Sequence, residues 1–237
     1  MTSIFEPYRR KNYPYVFVAS IHLHTIAGGV PLNETILEGH LKRKTAAPDD
    51  LIRSEVASIM VEEGLSADEA IERAAKRKGL VGFAKDSNGL YVRGFQVKAM
   101  LVESACIAAA EGRIPKKWGQ MSEQGKALKS WFPEHVFVLD DRIHLGVDEP
   151  TEIPQSFIHK VGPKGPMSAI QYTELVRDAD VSFAVETDHD FPEDVWAAIW
   201  LTAERNGLGA SRKLGYGTFE SRKWQKMSSR TRKLKAA

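Results

Sequence analysis

Two histidines, His22 and His24, are the first residues that could do chemistry, and they lie in the stretch YVFVASIHLHT. Residues two apart share one face of a strand, and an imidazole with a pKa near neutrality can both take and give a proton. The pair could therefore be a general acid and base for RNA cleavage, a nucleic-acid contact or an ordinary polar part of a sheet surface. Zinc is not favoured, because no cysteine or nearby acid completes a tetrahedral set.

The acidic stretch TDHDFPED, residues 187–194, also has the residue types of a metal site. It precedes a predicted helix, however, where acids in the first turn offset the helix dipole and Asp190 can be the N-cap. The remaining histidine candidates are scattered over later strands, at His135, His144 and His159. We therefore interpret the acidic stretch as a helix start, and the sequence predicts neither a metal site nor a cofactor.

The stretch GLGASRKLGYGTFE places four glycines around a basic pair, Arg212 and Lys213. Glycine tolerates positive φ and lets another backbone approach closely, so the segment predicts a tight loop of bare backbone. Such a loop can pack against the elements beneath it, or it can offer amide groups and the two cations to phosphates. The spacing matches neither the dinucleotide fingerprint nor a P-loop. The glycines concerned are Gly207, Gly209, Gly215 and Gly217.

A basic and aromatic segment, RIPKKWGQMSEQGKALKSWF, has the composition of a surface that binds unpaired bases. Its cations could hold phosphates, and its rings could stack on bases at roughly 1–3 kcal/mol each, although the same rings could equally anchor a long loop to the core. The candidate phosphate contacts here are Arg113, Lys116 and Lys117. Lys160 and Lys164, in FIHKVGPKGPMSA, lie on a predicted loop that could reach over a groove.

These candidates need a scaffold, and the two ends of the chain predict one. Residues 15–25 alternate as a strand does, and the apolar face carries Phe17, Ala19, Ile21 and Leu23. A hairpin turning at Asn88-Gly89 leads through Gly94 into a helix, and residues 192–206 form a second helix before the glycine loop and a last strand. This order predicts an α+β fold, with a ferredoxin-like or RRM-like antiparallel sheet core that carries helical and loop insertions.

We predict a single domain over residues 1–237, with a helical insertion at 45–80 and a basic, disordered tail at 222–237. Ser66 and Glu69 form a capping box within the insertion. The single cysteine, Cys106, excludes an intramolecular disulfide and is expected to be a small buried residue. No apolar run approaches the roughly 20 residues of a membrane span, so we expect a cytoplasmic protein without a membrane partner.

Two of these glycine segments resemble those of the RAMP superfamily, the repeat-associated proteins of CRISPR effector complexes. GLGASRKLGYGTFE after an amphipathic helix resembles the family's C-terminal glycine-rich loop. GLYVRGFQVKAMLVESA is similar to the family's passage from a strand through a glycine into a helix, with Gly94, Lys98 and Ala99 at the matching positions. The resemblance implies a modified RRM-like or ferredoxin-like fold that binds single-stranded RNA along a basic groove.

By this resemblance, Arg93 and Lys98 lie near the bound strand, and the segment Gly207–Gly217 shapes the loop beside it. Backbone-type relatives cleave with an aspartate in a loop after the first strand, and TIAGGVPLNE offers no aspartate there, so target cleavage is not expected. A stand-alone relative from a phage or mobile element fits the resemblance as well as an effector subunit does. The resemblance also implies assembly, either as homo-oligomers or filaments along the nucleic acid or as part of a larger ribonucleoprotein complex.

The favoured function is therefore the binding of single-stranded nucleic acid, RNA rather than DNA, without catalysis. One alternative is a metal-independent endoribonuclease that uses His22 or His24. The other is a structural or assembly protein of a phage or mobile element that binds no nucleic acid. Salt-dependent binding of a labelled single strand separates the favoured function from the second alternative.

Overall fold

The computed structural model describes residues 13–31, 48–71, 73, 80–115, 128–162 and 165–227. The chain divides into two compact units. The first consists of Met1–Ile26, Lys85–Glu149 and Val176–Ala237. The second, Ala27–Ala84 and Pro150–Leu175, includes the predicted insertion and also residues on both sides of it.

The strands are, in chain order, β1 (Tyr15–Ala27), β2 (Val30–Pro31), β3 (Leu80–Gly82), β4 (Ala84–Asp86), β5 (Gly89–Arg93), β6 (Val136–Val138), β7 (Arg142–His144), β8 (Gln155–Gly162), β9 (Gly165–Thr173), β10 (Leu175–Thr187) and β11 (Phe219–Lys226). The helices are α1 (Pro48–Glu63), α2 (Gly94–Ala110), α3 (Leu128–His135) and α4 (Glu193–Asn206), with a 3₁₀ turn at Arg212–Leu214. In the part of the chain described, no helix is long and apolar enough to cross a membrane.

The first unit contains a four-stranded sheet in the order β11-β1-β10-β6. Strand β11 is antiparallel to β1, and β6 is antiparallel to β10. Strands β1 and β10 are also antiparallel, because Ser20 bonds to Ser182 whereas His22, further along β1, bonds to the earlier Asp180. Along the chain the core elements follow as β1, α2, β6, β10, α4 and β11, which is the βαββαβ order of a ferredoxin-like fold. The predicted α+β class is confirmed. The fourth strand, β6, comes from the middle of the chain rather than from either end.

Strand β1 divides the sheet into an apolar face and a polar face, as its alternation predicts. Ile21 and Leu23 are completely buried, and each burial of this kind contributes about 1.5–3 kcal/mol. Helix α4 covers this apolar face, because the Trp196 ring lies 5.6 Å from that of Phe17 and the Trp200 ring lies 6.3 Å from that of Phe183. The opposite face of β1 carries the two histidines.

Strand β5 enters α2 directly through Gly94, and this junction sets where α2 begins. A Cβ on Gly94 would lie 2.1 Å from the carbonyl oxygen of Asp140, so a larger residue would displace the loop between β6 and β7. The Gly94 N–H also donates to the carbonyl of Asp141 at 2.8 Å. Strands β4, β5 and β7 form a small sheet beside this junction, and the hairpin turns at residues 87–88, one residue before the predicted Asn88-Gly89, because Gly89 already belongs to β5.

The glycine loop is held by a backbone crossing between its two ends. Gly207 ends α4 with φ 76°, and its N–H donates to the Ala203 carbonyl at 2.8 Å, as expected for a helix C-terminus. The Leu208 N–H donates to the Gly217 carbonyl at 2.8 Å, and the Gly217 N–H donates to the Thr25 carbonyl of β1 at 2.6 Å. The loop is therefore fastened to the first strand by hydrogen bonds that involve no side chain.

The second unit contains its own sheet, in the order β2-β3-β9-β8, with β3 and β9 parallel. Helix α1 and a helical turn at 67–71 belong to it, and the predicted capping box is present. The Ser66 hydroxyl donates to Glu69 Oε2 at 2.6 Å and the Ser66 N–H donates to the same oxygen at 2.9 Å, and these two bonds lower the pKa of the Glu69 carboxyl. The predicted tail begins within β11, which extends to Lys226, and residues 228–237 lie outside the described residues.

Gly217→Ala tests the backbone crossing. Residue 217 has φ +88°, and a Cβ there would lie 2.1 Å from the Leu208 carbonyl oxygen. We expect the free energy of unfolding to fall by about 2–4 kcal/mol in urea denaturation. Gly215→Ala is the matched control, because it has φ +86° but its Cβ would meet no described atom within 4 Å. The free energy of unfolding of this control should fall by only about 1–2 kcal/mol, because the left-handed backbone alone is strained. Equal losses in the two variants would contradict the role given to the close contact at Gly217.

Asp86 makes the stability of the hairpin depend on pH. The Arg142 guanidinium, assisted by the Asn88 N–H and His144, lowers the pKa of Asp86 from 3.8 to about 2. A carboxyl with a depressed pKa in the folded state adds stability above the unfolded value, and this stability is lost as pH falls through the folded value. We expect the stability difference between wild type and Asp86→Asn, measured in urea, to shrink from about pH 4 to about pH 2. A constant difference would contradict this account.

Candidate nucleic-acid interface

Three neighbouring cavities follow the exposed face of α2 and the glycine loop, and we call them together the α2 groove. The first, of about 570 Å³, is lined by Glu103, Arg205, Asn206, Gly209, Ser211, Arg212 and Lys213. The second, of about 140 Å³, is lined by Phe95, Gln96, Ala99, Met100, Glu103, Gly207, Gly209 and Arg212. The third, of about 650 Å³, is lined by Phe95, Lys98, Ala99, Val102, Glu103, Cys106, Ile107, Lys129 and Pro133. Because neighbouring cavities share lining residues, they form one continuous strip of surface.

Arg212 and Lys213 stand on the 3₁₀ turn that the glycine loop presents to this groove. The turn begins after Ser211, whose φ of 53° is left-handed, and ends at Gly215 with φ 86°. Arg212 Nη1 lies 2.6 Å from Glu103 Oε2 of α2, so one ion pair spans the groove. Lys213 is exposed beside it. The loop therefore offers two cations, of which one is already held by a carboxylate.

Phe95 is the most exposed aromatic side chain of the groove, with 63% of its surface accessible. It lies in the first turn of α2 and lines both the second and the third cavity. Phe95 was not among the contacts predicted from the sequence. The signal was available, because Phe95 precedes the buried Val97 by two residues and so points about 200° away from it around the helix.

Lys98 lies on the far side of the groove from Arg212, next to α3. Its Nζ is 4.3 Å from the centre of the Phe137 ring, and burial lowers the pKa of its ammonium group. Lys129 lines the same cavity and is exposed. Cys106, expected to be buried, is half-buried in this cavity, where burial raises the pKa of its thiol and so disfavours the reactive thiolate.

Arg205 and Asn206, at the end of α4, are two groove residues that the sequence analysis did not select. Arg205 is exposed in the first cavity, next to the basic turn. The buried Nδ2 of Asn206 has no hydrogen-bond partner among the described residues. A buried amide without a partner is uncommon, and nothing in the local sequence distinguishes Asn206 from an ordinary residue near a helix end.

Two further predicted contacts in the first unit, Arg93 and Arg113, line none of the three cavities. Arg93 is exposed at the start of α2 but lines none of the three cavities, and its N–H donates to Gln96 Oε1 at 2.9 Å. Arg113 pairs with Glu111 just beyond the C-terminal end of α2, a helix of 17 residues that is about 25 Å long at 1.5 Å per residue. Lys160 belongs to β8 in the second unit. Outside the described residues lie Lys116, Lys117 and Lys164.

The histidine pair lies on the polar face of the sheet, opposite the face that α4 covers. His22 Nδ1 is 2.9 Å from Asp180 Oδ1, and the same oxygen accepts a bond from Arg222 Nη1 at 3.2 Å. His24 Nε2 is 4.0 Å from Glu220 Oε1. These histidines are thus part of a charged network on β1, β10 and β11, and they line none of the cavities of the α2 groove.

No protein-family model and no curated protein matches this chain. Among solved structures, the chain is similar to the cryo-EM structure of the Type III-B Cmr-beta bound to cognate target RNA, at 14% identity and a TM-score of 0.43 over 94% of this chain. The chain spans 63% of the length of that neighbour. It is also similar to the crystal structure of Cmr6 from Pyrococcus furiosus, at 12% identity and a TM-score of 0.35, covering 87% of this chain and 97% of that one.

Proposed function

We propose that the chain binds single-stranded nucleic acid, RNA rather than DNA, along the α2 groove. The observation that carries the proposal is the exposed ring of Phe95 between two sets of basic side chains. RNA is the ligand that the resemblance of the glycine segments to the RAMP superfamily implies. A ring for a base and cations for the flanking phosphates are the two parts that single-strand binding requires.

The basic side chains supply the phosphate contacts. Lys98 and Lys129 line the cavity on one side of Phe95, whereas Arg205, Arg212 and Lys213 line the cavity on the other side. Contacts of this kind to phosphate release counterions, so the affinity falls as salt rises. Glu103 is the acid that lines all three cavities, and a phosphate must compete with it for Arg212.

Phe95 supplies the stacking surface. The side chain is fixed to the first turn of a helix whose next turns are buried through Val97, Met100 and Leu101. A ring on a rigid element loses little freedom when a base stacks on it, and any base can stack because each has a π face. We therefore expect weak sequence preference.

Removing Arg212 and removing its partner should change binding in opposite directions. Arg212→Ala deletes one phosphate contact and should raise the Kd for a labelled single-stranded RNA about threefold to tenfold. Glu103→Gln frees the guanidinium and should lower the Kd. Fluorescence anisotropy at several salt concentrations measures both, and Arg212→Ala should also reduce the salt slope by about 0.7.

The matched control for this pair is Arg222→Ala. Arg222 is also an arginine held by one carboxylate, Asp180, but it lies on the histidine face of the sheet. Its removal should leave the Kd unchanged. A larger loss for Arg222→Ala than for Arg212→Ala would place the nucleic acid on the histidine face and would overturn the proposal.

Phe95→Ala should weaken binding by about 1–3 kcal/mol, the contribution of one stacked base. Because no charge changes, the salt slope of the wild type should be kept. Leu201→Ala is the control, since Leu201 is exposed on α4 to a similar extent, 58%, and lines no cavity of the groove. Phe95→Ala binding as tightly as wild type would contradict the stacking role.

A DNA strand of the same sequence tests the preference for RNA, which only contacts to the 2′-hydroxyl can provide.

A further inference from the structure

His135, Asp188 and His189 converge beside β6, the edge strand of the four-stranded sheet, and none of the three lines the α2 groove. His135 Nδ1 is 2.7 Å from Asp188 Oδ2, and His189 Nδ1 is 2.7 Å from Asp188 Oδ1. One ligand atom from each of the three residues lies within 4.8 Å of the other two. Two imidazoles therefore approach the same carboxylate, one at each oxygen.

The pairing of β6 with β10 creates this arrangement. Val136 lies opposite Thr187, so the residue before β6 and the residue after β10, His135 and Asp188, meet at the same end of the sheet. His189 is then turned back by a local contact, because its N–H donates to Thr187 Oγ1 at 3.1 Å. The three side chains are consequently placed by a strand register and a short turn.

The indole ring of Trp131 packs against both histidines. Its centre lies 3.9 Å from the His135 ring and 4.9 Å from the His189 ring, and Trp131 itself is buried. The side chains of the two histidines and Asp188 are 22–29% exposed. An ion there would have protein on one side and solvent on the other.

We propose that His135, Asp188 and His189 bind a divalent transition-metal ion of the zinc type, with solvent completing the coordination. Imidazole and carboxylate are the ligands such ions take, and three protein ligands leave one position of a tetrahedron open. Ligand atoms about 2.0–2.1 Å from a tetrahedral ion lie roughly 3.3 Å apart, so small rotations of these side chains suffice. The ion takes the place of the two Nδ1–carboxylate hydrogen bonds, and each neutral imidazole that coordinates through Nδ1 then carries its one proton on Nε2.

This proposal departs from the expectation that residues 187–194 are only a helix start. Asp190 does not cap α4, whose N-cap residue is Pro192; Asp190 instead accepts a bond from Lys226 Nζ at 2.7 Å. The ligand that the acidic stretch itself does not contain is His135, which lies 53 positions before Asp188. Local spacing could not show that a distant histidine completes the set.

The test uses the full chain without a histidine tag, freed of metal with a chelator. Isothermal titration with Zn²⁺ should show one equivalent bound, and Co²⁺ should give the visible absorption of a tetrahedral site. Zn²⁺ should also raise the Tm of the wild type, since a ligand that binds only the folded state stabilises it. These measurements require no nucleic acid, so they are independent of the function proposed for the groove.

His135→Gln and Asp188→Asn should each raise the Kd for Zn²⁺ by at least about 100-fold, more than the loss of an outer-shell partner causes. His144→Gln is the matched control, because His144 pairs with Asp86 and lies outside the set. It should bind like wild type. If the wild type does not bind Zn²⁺, the proposal is overturned whatever the variants do. Equal affinity for Zn²⁺ in His135→Gln, Asp188→Asn and the control would overturn it as well.

Discussion

The contact of one backbone with another at the two ends of the glycine loop is the constraint on which the α2 groove depends. Gly207 and Gly217 approach so closely that a Cβ on residue 207 would lie 2.7 Å from the carbonyl carbon of residue 217. Because the crossing is made by main-chain atoms and is bonded to Thr25 of β1, the loop is positioned by the sheet itself. The segment between the crossing points, which carries Arg212 and Lys213, is thereby directed towards α2.

The alternation of β1 separates two kinds of surface. One face packs under α4 and contributes the core, and the other face carries His22 and His24 with their carboxylate partners. The groove follows the helices and the loop, whereas the histidines follow the open side of the sheet. Chemistry at the histidines and binding along α2 would therefore act on different ligands or on different parts of one ligand.

Local sequence patterns predict those parts of the molecule that neighbouring residues determine. The apolar face of β1, the entry into α2 at Gly94 and the end of α4 at Gly207 all follow from alternation, helical spacing and glycine chemistry. Lys98, Arg212 and Lys213, which the sequence analysis proposed as nucleic-acid contacts, line cavities of the groove, and their contact with nucleic acid stays a prediction. The exposed position of Phe95 was also available from helical spacing.

The parts that the sequence does not predict depend on contacts between distant residues. The strand character of the segment that contains β6 can be predicted from its composition, but its pairing with β10 cannot, and this pairing is what brings His135 to Asp188. The ion pair of Arg212 with Glu103 joins residues 109 positions apart. No periodicity within a segment contains such information, because it is fixed by which strands pair and in which register.

The acid in the centre of a basic groove has a physical consequence for any polyanion that binds there. Glu103 costs affinity, since its charge repels phosphate and its bond to Arg212 must be exchanged for a new one. The same bond holds the long arginine side chain across the cleft, so less rotamer freedom is lost when phosphate replaces the carboxylate. The exchange of one charged partner for another keeps the guanidinium satisfied in both states. If the proposed ligand binds there, this exchange makes its occupation of the groove more reversible than binding to the same cations without Glu103.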